Sequence, residues 1–270
     1  MLLRAGANIN EVCHNDPHYP PHTVFLEAIG TCNIQLVNWL LSDGRIDHTN
    51  IPHRVPYTPL QLAADTNCPE IVQLLLAHGH DPNLFRDTEH FGYYWKRDKY
   101  YRCGTSVQVA TTAGNAEILE MLLQHNANPN LTTKLVPHTA LQIACRDGHM
   151  KLVELLIEYG ANVNALPADT NGATALQFAA IGGYLGIAQF LLDKGADVNA
   201  PGPRGGGRTA LEGAAEHGRL DMVQLLKNAG ADLLSKQWEN AVELATKNGH
   251  LAVKELLYSF FQPDLEADLV

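Results

Sequence analysis

A short pattern of apolar and polar positions recurs along this chain and predicts pairs of helices. Its clearest copy lies at 207–230 and reads GRTALEGAAEHGRLDMVQLLKNAG. Two apolar sets in this stretch have helical spacing and predict the buried faces of two short antiparallel helices. These positions are Ala210, Leu211, Ala214 and Ala215 in the first helix, then Leu220, Met222, Val223, Leu225 and Leu226 in the second.

Polar and glycine positions mark the ends of these helices. Thr209 precedes the first helix, where its hydroxyl can accept a hydrogen bond from an N–H group that has no partner within the helix. The capping position recurs at Thr23, Thr58, Thr105, Thr139, Thr174, Thr209 and Asn240. The steps between these positions are 35, 47, 34, 35, 35 and 31 residues. A nearly constant step predicts a repeat architecture rather than a globular domain.

Residues that favour the left-handed conformation recur at two positions of each copy. Between the helices stand Gly114, Gly148, Gly183, Gly218 and Gly249, with Asn67 in their place in one copy. After the second helix stand Gly44, Gly79, Gly160, Gly195 and Gly230, with Asn126 in their place in another. Asparagine also tolerates this conformation. Cys32 breaks the rule, so we expect a looser first full repeat, whose core strip is predicted to be Leu36, Val37, Trp39, Leu40 and Leu41.

The T-x-L-x-x-A core and the period near 33 resemble the ankyrin repeat. TPLQLAA at 58–64 is the copy nearest the family pattern, and the resemblance covers 2–258. Phrases such as GGRTALEGAAEHGRLDMVQLL also resemble the arrays of large fungal ankyrin proteins. The resemblance implies an all-α solenoid of stacked helix-turn-helix units with β-hairpin or loop fingers, about seven repeats long, after an N-terminal half repeat.

The repeats divide the chain into one predicted array at 1–262. We expect a partial repeat at 1–12 and full repeats near 13–47, 48–83, 95–130, 131–164, 165–199, 200–232 and 233–262, with an insertion in a finger at 84–104 and an acidic tail at 263–270. Since a half repeat cannot bury its apolar side alone, we expect that the chain was cut from a longer one or that its start was misassigned.

Composition narrows the classes of partner and compartment. The formal net charge of −10 disfavours binding to nucleic acid, and no apolar run approaches the roughly 20 residues of a membrane span. The N-terminus lacks the pattern of a signal peptide. The five cysteines are odd in number and show no C-x-x-C pair, which favours reduced thiols. We therefore expect a monomer in the cytoplasm or nucleus.

Signatures of catalysis are missing from the sequence. We find no G-x-S-x-G, no H-E-x-x-H and no dinucleotide-binding glycine motif. The histidines of HNDPHYPPH at 14–22 are spaced by four, but Pro17, Pro20 and Pro21 argue against a helical metal site. The stretch PGPRGGG at 201–207 lacks the form of a phosphate-binding loop. The sequence thus predicts no catalytic residue, no cofactor and no metal.

A column of amide side chains occupies one repeat position. It comprises Gln61, Gln108, Gln142 and Gln177, followed by Glu212 and Glu243. Under the resemblance, this is the position of the histidine in the family's TPLH motif. Since side-chain amides are poor acids and bases, we expect hydrogen bonds between repeats rather than a catalytic row.

The insertion contains HFGYYWKRDKYYRC, which is dense in aromatic and basic residues within an acidic chain. Tyr and Trp are enriched at the centres of protein interfaces. Two interpretations stay open, because such a segment either folds back over the array or contacts a partner.

The resemblance implies that a partner protein contacts the finger tips and the exposed ends of the first helices, on the concave face. The predicted contact residues are Tyr19, His22, Arg54, Tyr57, Asp65, Trp95, Tyr101, Arg102, His138, Arg146, Asp147, Arg208, Glu216 and His217. The predicted function is a non-catalytic scaffold for protein–protein interaction. The alternative is an enzyme or small-molecule-binding protein that uses this groove beside the 84–104 insertion. It requires an enclosed pocket and a strongly shifted pKa.

Overall fold

The computed structural model describes residues 23–44, 57–86, 104–169, 172–203 and 207–260. Within these ranges the chain forms fourteen helices and no strand, so the described parts of the fingers are loops. Two compact units are present, Met1–Ala140 and Leu141–Val270. The predicted all-α fold is confirmed, whereas the boundaries of the individual repeats stay a prediction.

Six helices lie in the first unit, and the other eight lie in the second, apart from Ala140, the first residue of α7. The first unit holds α1 Val24–Gly30, α2 Ile34–Ser42, α3 Pro59–Asp65, α4 Pro69–Ala77, α5 Ser106–Thr112 and α6 Ala116–Gln124. The second holds α7 Ala140–Asp147, α8 Met150–Glu158, α9 Ala175–Gly182, α10 Leu185–Asp193, α11 Ala210–Glu216, α12 Leu220–Asn228, α13 Lys236–Lys247 and α14 Leu251–Ser259. Odd numbers are the first helices of a pair and even numbers are the second.

Within each unit the helices stack in two layers. In the first unit α3 packs between α1 and α5, and α4 packs between α2 and α6. In the second unit α11 packs between α9 and α13, while α8, α10, α12 and α14 follow one another in the other layer. The core lies between the layers, where alanines of the first helices let neighbouring helices approach closely.

The predicted core is confirmed in the first helix of the clearest copy and only partly in the second helices. All four predicted positions of α11 are buried, as are Met222, Val223 and Leu226 of α12. Leu220, the first residue of α12, is 41% exposed, and Leu225 is half-buried.

Trp39 was also wrongly expected in the core, since it is 43% exposed. Val37, Leu40 and Leu41 form the buried stripe of α2, while Leu36 is half-buried. Position 39 lies two residues from Val37 and one from Leu40, which places it off the apolar face of a helix with 3.6 residues per turn.

The predicted threonine caps are confirmed at five positions. The hydroxyls of Thr23, Thr58, Thr105, Thr174 and Thr209 accept hydrogen bonds of 3.2–3.3 Å from the N–H group three residues later. Helix α7 begins at Ala140, directly after Thr139.

The predicted cap at Asn240 is wrong. Helix α13 begins at Lys236, after Ser235, so Asn240 lies inside the helix. The stretch between Ser235 and Asn240 contains no glycine or proline, and nothing stops the helix from starting one turn earlier.

The predicted left-handed positions are confirmed at every glycine and asparagine named above, including Asn67 with φ 58° and Asn126 with φ 63°. Cys32 adopts the same conformation, with φ 52°. The expectation of a looser turn there is therefore wrong, because the cysteine takes the backbone conformation that glycine takes in the other copies.

Candidate functional site

The column of glutamines joins each repeat to the next finger. Gln177 shows the arrangement, since its Oε1 accepts a hydrogen bond from the N–H of Thr174 at 2.9 Å. Its Nε2 donates to the carbonyls of Ala200 at 2.9 Å and Pro201 at 3.1 Å. One side chain thus completes the cap of its own helix and binds the following loop, which confirms the predicted ladder.

The same bonds recur along the column. Gln61 donates to the carbonyl of Gly104, Gln108 to those of Val136 and His138, and Gln142 to those of Ala165 and Leu166, over 2.6–3.1 Å. A carboxylate has no N–H to donate. Glu212 therefore accepts two hydrogen bonds, from the N–H of Thr209 at 2.9 Å and from the side chain of Asn240 at 2.7 Å. Glu243 is exposed and lies outside the ladder.

A second ladder of asparagines, which the sequence interpretation missed, lies in the fingers. Asn164 donates to the carbonyl of Gly195 at 2.9 Å and accepts from the N–H of Asp197 at 2.9 Å. Asn199 and Asn83 make the equivalent pairs, to Gly230 and Asp232 and to Asn126 and Asn128. In the sequence these asparagines recur at one repeat position, and that recurrence could have predicted the ladder. Both ladders hold neighbouring fingers in register.

Six predicted contact residues lie outside the described residues: Tyr19, His22, Arg54, Trp95, Tyr101 and Arg102. In the first unit, Asp65 is half-buried at the end of α3, and His138 is half-buried before Thr139. Tyr57 is buried, with 9% of its surface exposed, which leaves little of its ring for a partner.

Arg146 and Asp147 form an ion pair at the end of α7. The Nε atom of Arg146 lies 2.8 Å from Oδ1 of Asp147, and Nη2 lies 3.1 Å from Oδ2. The hydrogen bonds that Arg146 donates to the Asp147 carboxylate raise the pKa of the guanidinium. The pair is partly exposed, so it presents both charges at a fixed place on the surface.

Arg208 and Glu216 form a second two-pronged pair, between the finger before α11 and the end of α11. Nε of Arg208 lies 2.8 Å from Oε2 of Glu216, and Nη2 lies 3.2 Å from Oε1. Such paired geometry fixes both side chains. The hydrogen bond from Arg208 lowers the pKa of the Glu216 carboxyl. This keeps the carboxylate ionised, which suits an ion pair and is the opposite of what a general acid needs at neutral pH.

Three further groups surround this pair. His217 follows Glu216, is exposed, and has Nδ1 at 3.0 Å from the carbonyl oxygen of Gly213. Lys247, at the end of α13, is exposed and adds to the positive field that lowers the pKa of Glu216. Nε2 of His250 lies 3.1 Å from the carbonyl oxygen of Glu216. We call Arg208, Glu216, His217 and Lys247 the helix-end cluster. Lys247 was missing from the predicted contact residues, although it ends α13 as Glu216 ends α11.

The turns that join the two helices of a pair directly follow the ends of the first helices, and across them neighbouring repeats make contacts that differ from those of the fingers. We call this region the turn side. Cys32 and Cys68 form a disulfide there, with Cα atoms 6.1 Å apart, so the expectation of reduced thiols is wrong for this pair. Asn115 donates a hydrogen bond to Asn67 at the next junction. Cys145 is buried as a free thiol, and burial raises its pKa.

In the second unit, bulky side chains cover glycines on the turn side. A Cβ atom added to Gly148 would meet Tyr184, one added to Gly183 would meet Arg219, and one added to Gly218 would meet His250. These three bulky residues each directly follow an interhelical glycine. The turn side therefore depends on glycine for space as well as for its backbone conformation.

One hollow lies among the described residues of the first unit. This hollow, of about 140 Å³, is lined by residues of α3 and of the turn after α4. That volume is smaller than the roughly 300 Å³ of typical small-molecule pockets. Across the described ranges, no three His, Cys, Asp or Glu side chains are grouped to hold a metal ion. Among the same residues, every helix is too short or too polar to cross a membrane.

Comparison with known proteins agrees with this architecture. A family model described as ankyrin repeats (3 copies) matches residues 1–86 and 107–202, and another described as ankyrin repeats (many copies) matches 183–226. The chain therefore belongs to the ankyrin repeat family.

Two solved structures are similar over most of the chain. The ankyrin repeat domain of Bcl-3, described as a unique member of the IkappaB protein family, is 27% identical with a TM-score of 0.65, and the match covers 88% of this chain and 98% of that one. The human ASB11 ankyrin repeat domain is 20% identical with a TM-score of 0.66, covering 90% and 99%. At that identity the second likeness shows the fold alone.

Two curated relatives match over a shorter stretch. The mitochondrial disaggregase of Bos taurus is 34% identical over 94 residues, which is 32% of this chain and 14% of the relative. The Homo sapiens protein is 39% identical over 75 residues, which is 28% of this chain and 10% of the relative. The match thus spans only a small part of either relative.

Proposed function

We propose that this chain is a non-catalytic scaffold that binds a partner protein through the ends of its first helices and its finger tips. Ankyrin repeats are generally modules for protein–protein interaction, and the family membership supports that coarser statement. The finer proposal also takes the partner to be neither nucleic acid nor membrane, the chain to be a monomer, and its compartment to be the cytoplasm or nucleus.

The observation that carries the finer proposal is the helix-end cluster. Arg208 and Glu216 hold each other through two hydrogen bonds, so their positions are set before a partner arrives. Groups that are already ordered lose less entropy on binding. His217 and Lys247 are exposed beside them and extend the charged surface. Charged groups at fixed positions favour one partner and one orientation over others.

An affinity capture with matched variants tests this proposal. The tagged chain, a His217→Ala/Lys247→Ala variant and a Lys151→Ala/Glu154→Ala control are used to recover proteins from an extract, and quantitative mass spectrometry compares them. The control residues are exposed on α8, a second helix. We expect proteins recovered by the parent chain and the control to be lost at least tenfold with the cluster variant. Equal recovery by all three chains would refute the role of the helix ends.

A second capture tests the insertion, whose role stays a prediction. A chain without residues 84–104 is compared with the intact one, after circular dichroism has shown that both keep their helical content. If the insertion contacts the partner, recovery falls for the deleted chain. Equal recovery would remove the insertion from the binding surface and leave the helix ends.

A further inference from the structure

The first two described helix pairs are joined covalently at their turns. Cys32 lies in the turn between α1 and α2, and Cys68 lies in the turn between α3 and α4. The Cα atoms are 6.1 Å apart, within the range that a disulfide spans without backbone movement. The bond therefore connects two repeats that the stack already holds side by side.

The backbone prepares Cys32 for this contact. Its φ of 52° is the left-handed conformation that glycine or asparagine occupies at the other turns. Contact across the turn side also occurs at the next junction, where Asn67 is hydrogen-bonded to Asn115. The disulfide occupies the same register, with residue 32 in the place of 67 and residue 68 in the place of 115. It replaces a polar contact between repeats by a covalent one.

The surroundings of the two sulfur atoms differ. Cys32 is exposed, whereas Cys68 is buried, with 1% of its surface accessible. Sγ of Cys68 lies 3.8 Å from a carboxylate oxygen of Glu70. Because Cys32 is the exposed one of the two, it is the sulfur that dissolved thiols and disulfides reach, and Cys68 resolves the intermediate.

We propose that Cys32 and Cys68 form a redox-dependent staple that fixes the α1–α2 pair onto the α3–α4 pair and releases it on reduction. This inference rests on the fold and not on the proposed binding function. The bond closes a loop from Cys32 to Cys68 that contains α2, so it restricts the unfolded α2 segment and thereby stabilises the docked α1–α2 pair. The α1–α2 pair is the part of the described chain that the staple controls.

The exchange balances with a small disulfide, such as oxidised glutathione, as the oxidant. The Cys32 thiolate attacks one sulfur of that disulfide, forms a mixed disulfide and releases one glutathione thiolate. The Cys68 thiol then loses its proton and displaces the second glutathione thiolate from Cys32. The two protein thiols lose two electrons and two protons in total, and the small disulfide becomes two thiols. An external dithiol that attacks at exposed Cys32 reverses the sequence.

Hydrogen–deuterium exchange of the whole chain tests the staple. The protein is equilibrated with oxidised glutathione or with dithiothreitol, and peptide mass mapping without reductant first checks for the bond between Cys32 and Cys68. We expect amides of α1 and α2, which open as one pair, to exchange roughly 500-fold faster in the reduced protein, as closure of a loop of this size implies. Helices α9–α14 serve as the internal reference and keep their rates.

The variant Cys32→Asn/Cys68→Asn supplies the matched control. It copies the asparagine pair of the next junction and keeps a residue that tolerates the left-handed turn. The amides of α1 and α2 in this variant should exchange at the same rate with oxidised glutathione as with dithiothreitol. The proposal is overturned if oxidised glutathione yields no Cys32–Cys68 peptide, or if α1 and α2 of the parent chain exchange equally fast in both states. Neither result depends on whether a partner protein binds.

Discussion

The finger side and the turn side of the helix pairs are held together by different means. On the finger side one bond type recurs, because Gln61, Gln108, Gln142 and Gln177 each donate to carbonyls of a following loop. On the turn side each described junction differs. Cysteine pairs with cysteine and asparagine with asparagine in the first unit, while tyrosine, arginine or histidine covers a glycine in the second.

This difference shows which contacts between repeats constrain the residue types on both sides. A finger carbonyl is a backbone group, so any repeat can be joined through it by the same glutamine. A turn-side contact joins two side chains or a side chain and a glycine, so both partners must suit each other. We therefore expect exchanges on the finger side to follow one rule, and exchanges on the turn side to depend on the individual neighbour.

The largest effect is expected for Gln177→Glu on the finger side. The variant keeps an oxygen for the N–H of Thr174, but it leaves the carbonyls of Ala200 and Pro201 without a donor and brings a carboxylate against them. Gln177 is 1% exposed, so we expect a loss of about 3 kcal/mol in the free energy of unfolding. Urea titration at pH 7 measures it.

Two controls sharpen this prediction. Glu212→Gln should cost under about 0.5 kcal/mol, because Asn240 can turn its amide to accept instead of donating. A protonated glutamic acid at 177 can donate to a carbonyl, so we expect its pKa to be raised in the folded state. The loss in free energy of unfolding that Gln177→Glu causes should therefore become smaller as the pH falls from 7 to 4. An equal deficit at both pH values would contradict the donor argument.

A smaller effect is expected on the turn side, where two glycines differ only in their neighbour. Gly218 and Gly249 have φ values of 68° and 77°, so alanine at either position costs about 1 kcal/mol for the left-handed backbone. A Cβ added at Gly218 would lie 2.6 Å from Nδ1 of His250, whereas a Cβ added at Gly249 would have no neighbouring heavy atom within 4 Å.

Moving His250 would break its contact with the carbonyl of Glu216. Gly218→Ala should therefore be about 1 kcal/mol less stable than Gly249→Ala in urea titrations. If the two variants are equally destabilised, His250 does not depend on the absence of a side chain at 218, and the turn side is less specific than we infer.

The smallest effect is expected for Glu216→Gln in the helix-end cluster. Arg208 lowers the pKa of the Glu216 carboxyl in the folded state, so the pair stabilises the fold above the ordinary value near 4.3. That stability is lost as the pH falls through the lowered pKa. The pair is partly exposed, and we expect less than about 1 kcal/mol at pH 7 and low salt. Unfolding curves from pH 7 to pH 2.5 measure the difference between parent and variant. A difference in stability between parent and variant that grows toward acid pH would contradict the lowered pKa of Glu216.

The contrast between the two sides also explains which features could be predicted from the sequence. The threonine caps and the Gln column each recur at a fixed repeat position, three residues apart, and both bind backbone groups, so the period of the sequence predicted them. Asn83, Asn164 and Asn199 also recur at a fixed repeat position and bind backbone groups, so the same argument could have predicted their ladder. The cap assigned to Asn240 was wrong because the period was extended past a stretch that continues the helix.

The repeat period alone could not predict which residues pair on the turn side. Cys32 and Cys68 are separated by 36 residues, one more than the local repeat step, because the bond joins a turn residue to the first position after the next turn. Arg208 and Glu216 lie eight residues apart across a cap, and only the fold brings them together. The helix ends themselves were predicted, whereas their ion pairing was not.

The most direct measurement for the scaffold account is a hydrogen-exchange footprint of a captured partner on the intact chain. The account predicts slower exchange at the ends of α11 and α13, around His217 and Lys247, with no change along the exposed side of α8 around Lys151 and Glu154. Protection confined to the second helices, with the ends of the first helices unchanged, would contradict it.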